Sequence, residues 1–141
     1  MSEERQRGVD LFNEVWRLMD SRKDDDRMLH AAHASRFHWG EAEECRPENL
    51  ARGEWQVSRV YTVLGRVEPA LWHARRCLDH CERNGIGDFD LAYAYEGLAR
   101  AHAVAGDGEA TDWKAKARDA GDAIADREDR EHFDEDYATL P

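Results

Sequence analysis

The sequence predicts an all-α protein of stacked antiparallel helical hairpins, about six helices followed by a short C-terminal one. Three observations lead there. Apolar residues recur at intervals of three and four through most of the chain, the period of a helix with one buried face. Glycines, prolines and aspartates cluster between the periodic segments, where helices end and begin. No run alternates apolar and polar residues over a strand's length, so no strand is expected.

Residues 4–20 place Leu11, Phe12, Val15, Trp16 and Met19 on one broad stripe. Ser21 to Asp26 is a charged turn whose aspartates can cap the second helix, 26–42. Pro47 opens the third, with a stripe of Leu50, Val57, Val60, Tyr61 and Leu64, and Gly65 ends it. Pro69 opens the fourth, whose face is Ala70, Leu71, Ala74, Cys77, Leu78 and Cys81, and Asn84-Gly85 closes it. Asp88 or Asp90 is the expected cap of the fifth helix, which buries Leu91, Ala94, Tyr95, Leu98, Ala101 and His102. After the break at Gly106-Asp107-Gly108, the sixth carries Ala110, Trp113, Ala117 and Ile124. A short seventh offers Phe133 and Tyr137. The expected hairpins are thus 4–42, 47–84 and 88–126, with a terminal helix at 128–137, in one domain spanning 1–141.

Lysine and arginine number 20 against 31 aspartates and glutamates, a net charge of −11 among 141 residues. That balance opposes non-specific binding to nucleic acid or to anionic membranes. No apolar run approaches the roughly 20 residues that span a bilayer. The N-terminus, MSEERQRGVD, lacks the apolar segment of a secretion signal, and the three cysteines are odd in number. A cytoplasmic, reduced setting is expected.

Small residues at Gly65, Ala70 and Ala74 let two helices approach closely, and Gly106, Ala110 and Ala117 repeat the pattern. The two glycines are 41 positions apart and the first alanines 40, a period typical of stacked hairpins. Here the chain resembles the tetratricopeptide repeat family. In one unit Val57, Ser58, Tyr61, Gly65, Ala70, Ala74, Cys77 and Leu78 fall on that family's apolar or small positions. In the next, Leu98, Ala99, His102, Gly106, Asp107, Ala110 and Ala117 do so. The likeness covers residues 52–125, with a weaker unit at 4–42. It departs from the family in having His102 for an aromatic, a second turn one residue shorter, no proline after either unit, and a period longer than about 34 residues.

The resemblance implies an α-solenoid with a binding role. In such stacks the first helix of each hairpin lines a concave groove. Carried over, this assigns Arg52, Trp55, Arg59 and Thr62 from the third helix, and Tyr93, Glu96, Arg100 and Ala103 from the fifth. Arg52, Trp55, Arg59, Tyr93, Glu96 and Arg100 would form an island of positive charge on an acidic protein, suited to a peptide, a protein segment or a small anionic ligand. The competing expectation is an exposed face with a Glu96–Arg100 pair one helical turn apart. A homodimer fits the apolar face that terminal repeats often leave.

Other motifs point less far. His30, His33 and His38 lie in HAAHASRFHW, but at about 100° per residue the outer pair diverges by about 140°, so three imidazoles of one helix cannot share an ion. His30 or His33 could join a carboxylate such as Glu54 or Glu96 from a neighbouring helix in a metal-dependent enzyme, the alternative to a binding module. No nucleophile, base and orienting group stand at a recognisable spacing. Cys77 and Cys81 read as packing residues, and Cys45 as a surface thiol. The aspartates of GDFD, 87–90, read as caps, and its glycines lack the strand and lysine of a phosphate loop. No cofactor and no catalytic residue are expected.

Overall fold

Seven helices make up the computed structural model, which describes residues Met1 to Pro141: α1 (Glu3–Ser21), α2 (Asp25–Glu41), α3 (Pro47–Val63), α4 (Val67–Arg83), α5 (Asp88–Ala105), α6 (Glu109–Asp122) and α7 (Arg127–Tyr137). There is no strand. No helix is long and apolar enough to cross a membrane.

Local chemistry sets most boundaries. The Ser2 hydroxyl accepts the Arg5 N–H at 3.2 Å, and Glu3 and Glu4 add negative charge to the positive end of α1. Asp24 and Asp126 cap α2 and α7 in the same way, each accepting a backbone N–H at 3.0 Å. Pro47 opens α3. Pro69 does not open α4, which begins two residues earlier at Val67. First-turn N–H groups have no acceptor within the helix, so a proline there removes nothing. Gly65 and Gly106 both follow helix ends at φ 71°, a conformation that a side chain would strain.

The expected caps of α5 are a correction. Gly87 holds the cap position, with no side-chain hydrogen bond. Both aspartates serve distant partners instead. Asp88 accepts the Ala125 N–H at 2.9 Å, and Asp90 accepts two hydrogen bonds from Arg52.

Consecutive helices pack as hairpins, α1 on α2, α3 on α4 and α5 on α6, and the hairpins stack through α2–α3 and α4–α5. The backbone of the third helix also approaches α1 and α5, whereas those of α2, α4 and α6 stay apart, although the His33 and His73 rings of α2 and α4 meet at 5.4 Å. An inner layer that converges and an outer layer that diverges make a curved stack, concave toward α1, α3 and α5. Across its far end α7 leans on α5 and α6.

Small side chains make this approach possible. Ala70 and Ala74 of α4 meet Leu98 and Ala101 of α5 with almost no exposure. Val15, Met28, Ala31, Ala32, Val57 and Val60 fill the space among α1, α2 and α3. Phe133 anchors α7 in a cluster with Ala92, Tyr93, Ala117 and Ile124. Gly121 of α6 leaves room for that ring, because a β-carbon there would overlap it.

Candidate functional site

On the concave side lies a half-open cavity of about 780 Å³, walled by α1, α3, α5 and α7. That volume lies within the range of small-ligand pockets. Helix periodicity places its lining. Positions 52, 55 and 59 point to one side of α3, and positions 93, 96 and 100 repeat the same spacing on α5.

An aromatic row runs across the inner layer. Ring centroids are 5.6 Å apart for Phe12–Trp16 and for Trp16–Trp55, 5.1 Å for Trp55–Tyr93 and 4.8 Å for Tyr93–Phe89. Gly97 lets Trp55 lie close to α5, since a β-carbon there would stand 3.1 Å from the indole.

Beneath that row the expected site residues meet, but most are spent on one another. Glu96 is 0% exposed. Its carboxylate accepts from the Trp55 indole Nε1 at 2.8 Å and from Arg100 at 2.7 Å, and Arg59 approaches to 3.7 Å. Arg100, also buried, donates to the Thr139 hydroxyl at 2.8 Å and to the Asp136 carbonyl at 3.1 Å. The Tyr93 hydroxyl donates to the Asp136 carboxylate at 2.6 Å. Burial, reinforced by that bond, pushes the Tyr93 phenol well above its ordinary range. Glu96 and Arg100 therefore lie under the cavity rather than in it, sealed by the end of α7. Arg52 sits apart, bound twice to Asp90 at 2.8 and 3.0 Å.

Arg59 differs from the other two arginines. It lines the cavity at 17% side-chain exposure, and no hydrogen bond uses its donors. Its one ion pair is the 3.7 Å approach to a Glu96 already engaged twice. Burial, and then the neighbouring charge of Arg100, lowers its pKa. The site thus presents a poorly solvated guanidinium with its fork unspent beside aromatic walls.

Sequence reasoning missed Phe12 and Trp16 of α1 and Asp129, His132 and Asp136 of α7, all of which line the cavity. The rule applied to α3 and α5 would have found the first pair, because α1 also begins a hairpin. Nothing local announces the α7 contribution.

The histidine-rich helix forms a different arrangement. His30 is exposed beside Asp26, 3.5 Å away, and His33 meets the Tyr61 hydroxyl at 2.9 Å. Tyr61 stacks on His73, at 5.7 Å and 13°. Glu54 is buried among three donors: Arg36 and Arg76 at 2.8 Å and His73 at 2.9 Å. Burial alone would raise its pKa, but the bonds from His73 and Arg76 outweigh that and hold it at about 2. Burial, and then His73, lowers the pKa of His33. His30, His33, Glu54 and Glu96 do not gather around one point.

One other triad brings ligand atoms within 4.8 Å of one another: His102, Asp107 and Glu109. Its geometry is that of the turn that leads into α6, whose cap position is Gly108. The Asp107 carboxylate holds His102 Nδ1 at 2.8 Å and the Glu109 N–H at 3.0 Å, while His102 stacks on Trp113 at 9°.

Comparison with protein-family models, curated proteins and solved structures finds no match for this chain.

Proposed function

We propose that the chain is a non-catalytic binding module with a tetratricopeptide-like stack, and that it holds a carboxylate-bearing ligand in the concave cavity. That ligand is a peptide end, an acidic side chain of a protein segment or a small organic acid. The observation that carries the reading is Arg59. An arginine whose side chain is only 17% exposed, and whose guanidinium has no hydrogen-bonded acceptor, is complementary to a carboxylate. The aromatic row beside it offers rigid contact area to the ligand's apolar part. The pairing of helices and the small-residue contacts favour the tetratricopeptide-like reading. The free thiols of Cys77 and Cys81 suit a reducing, cytoplasmic setting.

Calorimetric titration with hexanoate and with an acetylated tetrapeptide bearing a free C-terminus tests this. Replacing Arg59 by Gln should weaken binding by about 1.5–3 kcal/mol with unchanged helicity. Equal affinity in wild type and variant would remove Arg59 as the anchor.

A further inference from the structure

The cavity has a second pole. Arg52 stands seven residues before Arg59 on α3, about 10 Å away along the helix axis. At that end the positive charge is already consumed, because Arg52 gives both hydrogen bonds to Asp90. Asp129 lines the same end, close enough for its charge to act on Arg52, and its carboxylate has neither a hydrogen bond nor an ion pair. Asp88 lines it too, with only the Ala125 N–H as a partner. The Arg52 end is therefore net negative, whereas at the Arg59 end Glu96 and Asp136 balance the charges of Arg59 and Arg100, and the Arg59 hydrogen-bond donors remain unspent. Between the poles run the rings of Trp16, Trp55 and Tyr93.

We infer that the ligand is zwitterionic: a carboxylate seated on Arg59, an apolar linker along the aromatic row, and an ammonium or guanidinium group held at Asp129. This rests on the carboxylate-binding reading and adds the opposite pole to it. An anion alone meets repulsion from the unpaired carboxylates at the Arg52 end. A cation alone meets the Arg59 guanidinium. A bipolar molecule of matching length satisfies both ends and covers the apolar wall between them. Two sources share this chemistry, a free ω-amino acid and a peptide ending in lysine.

The test is calorimetry with matched probes on the full chain: 4-aminobutyrate, 6-aminohexanoate and 8-aminooctanoate, the corresponding plain carboxylates, the corresponding alkylamines, and acetyl-Ala-Ala-Lys with a free carboxylate. The longer amino acids should bind about tenfold tighter than their plain carboxylates. That advantage should shrink to about threefold or less in Asp129→Asn and fall as salt is raised. Tight binding of acetyl-Ala-Ala-Lys would place the zwitterion at a peptide end, and tighter binding of the free amino acids would place it in a small molecule. Plain carboxylates binding as tightly as their amino counterparts would overturn the zwitterion while leaving Arg59 as an anchor. Alkylamines binding best, or no probe binding, would overturn both the zwitterion and the carboxylate reading.

Discussion

The indole N–H of Trp55 donates to the Glu96 carboxylate at 2.8 Å, joining two helices across 41 positions of sequence. The same carboxylate takes the Nε–H of Arg100 at 2.7 Å. A fully buried charge is tolerated here because donors from α3 and α5 converge on it, and because Arg100 passes its remaining donors to the chain end at Asp136 and Thr139. One residue thus ties the cavity floor to the closing helix.

Removing that carboxylate leaves Arg100 buried without its ion pair. Glu96→Ala should destabilise the protein by about 3–5 kcal/mol, measured by urea denaturation. A loss below about 1 kcal/mol would show that the Arg100 guanidinium escapes to water once the pair is broken.

The docking of α7 depends on Phe133, which is fully buried against Gly121. Phe133→Ala should cost about 3–5 kcal/mol, and amide exchange should rise first in residues 127–137. Uniform exchange across all helices would mean that α7 unfolds only with the rest of the chain.

Glu54 and His33 make stability fall in acid, for one reason of sign. The Glu54 carboxyl is held at about 2, below its ordinary value near 4.5, so its contribution is complete above about 4.5 and is lost as pH falls toward about 2. His33 is lowered by burial, so the unfolded chain takes up its proton more readily, and its contribution disappears as pH falls below its ordinary value of 6.5. Melting temperature measured against pH should therefore decline below pH 6.5 and steepen below about 4.5. In Glu54→Gln the lower step should shrink, leaving the smaller share of other carboxylates such as Glu44 and Asp107, which are also held below their ordinary values. A lower step of equal size in that variant would assign it to other carboxylates.

The helical stack was legible because its punctuation is chemical. Gly65 and Gly106 adopt the left-handed turns that glycine permits, and Pro47 begins a helix. Ala70, Ala74, Leu98 and Ala101 lie on the buried helix faces that their spacing implies. The caps of α5 were not legible, because Asp88 and Asp90 prefer partners 37 and 38 positions away in sequence. The site shows the same division. Periodicity put Trp55 and Arg59 on one helix face, and Tyr93, Glu96 and Arg100 on another. It could not show that Glu96 and Arg100 are sealed below the cavity, since the sealing groups, Asp136 and Thr139, reach Arg100 from 36 and 39 positions further on. Local spacing carries no signal over that range.

The central claim is that ligand carboxylates sit at Arg59 inside the aromatic-walled cavity. The most direct measurement is a two-dimensional ¹H–¹⁵N spectrum of the tryptophan indoles during titration with hexanoate. Trp16 and Trp55 line the cavity, whereas Trp72 stands exposed on α4 against Arg76. The indole signals of Trp16 and Trp55 should shift together and saturate in the wild type, that of Trp72 should stay in place, and in Arg59→Gln all three should be still. Saturable shifts of Trp72 alone, or shifts of Trp16 and Trp55 that persist unchanged in Arg59→Gln, would contradict it.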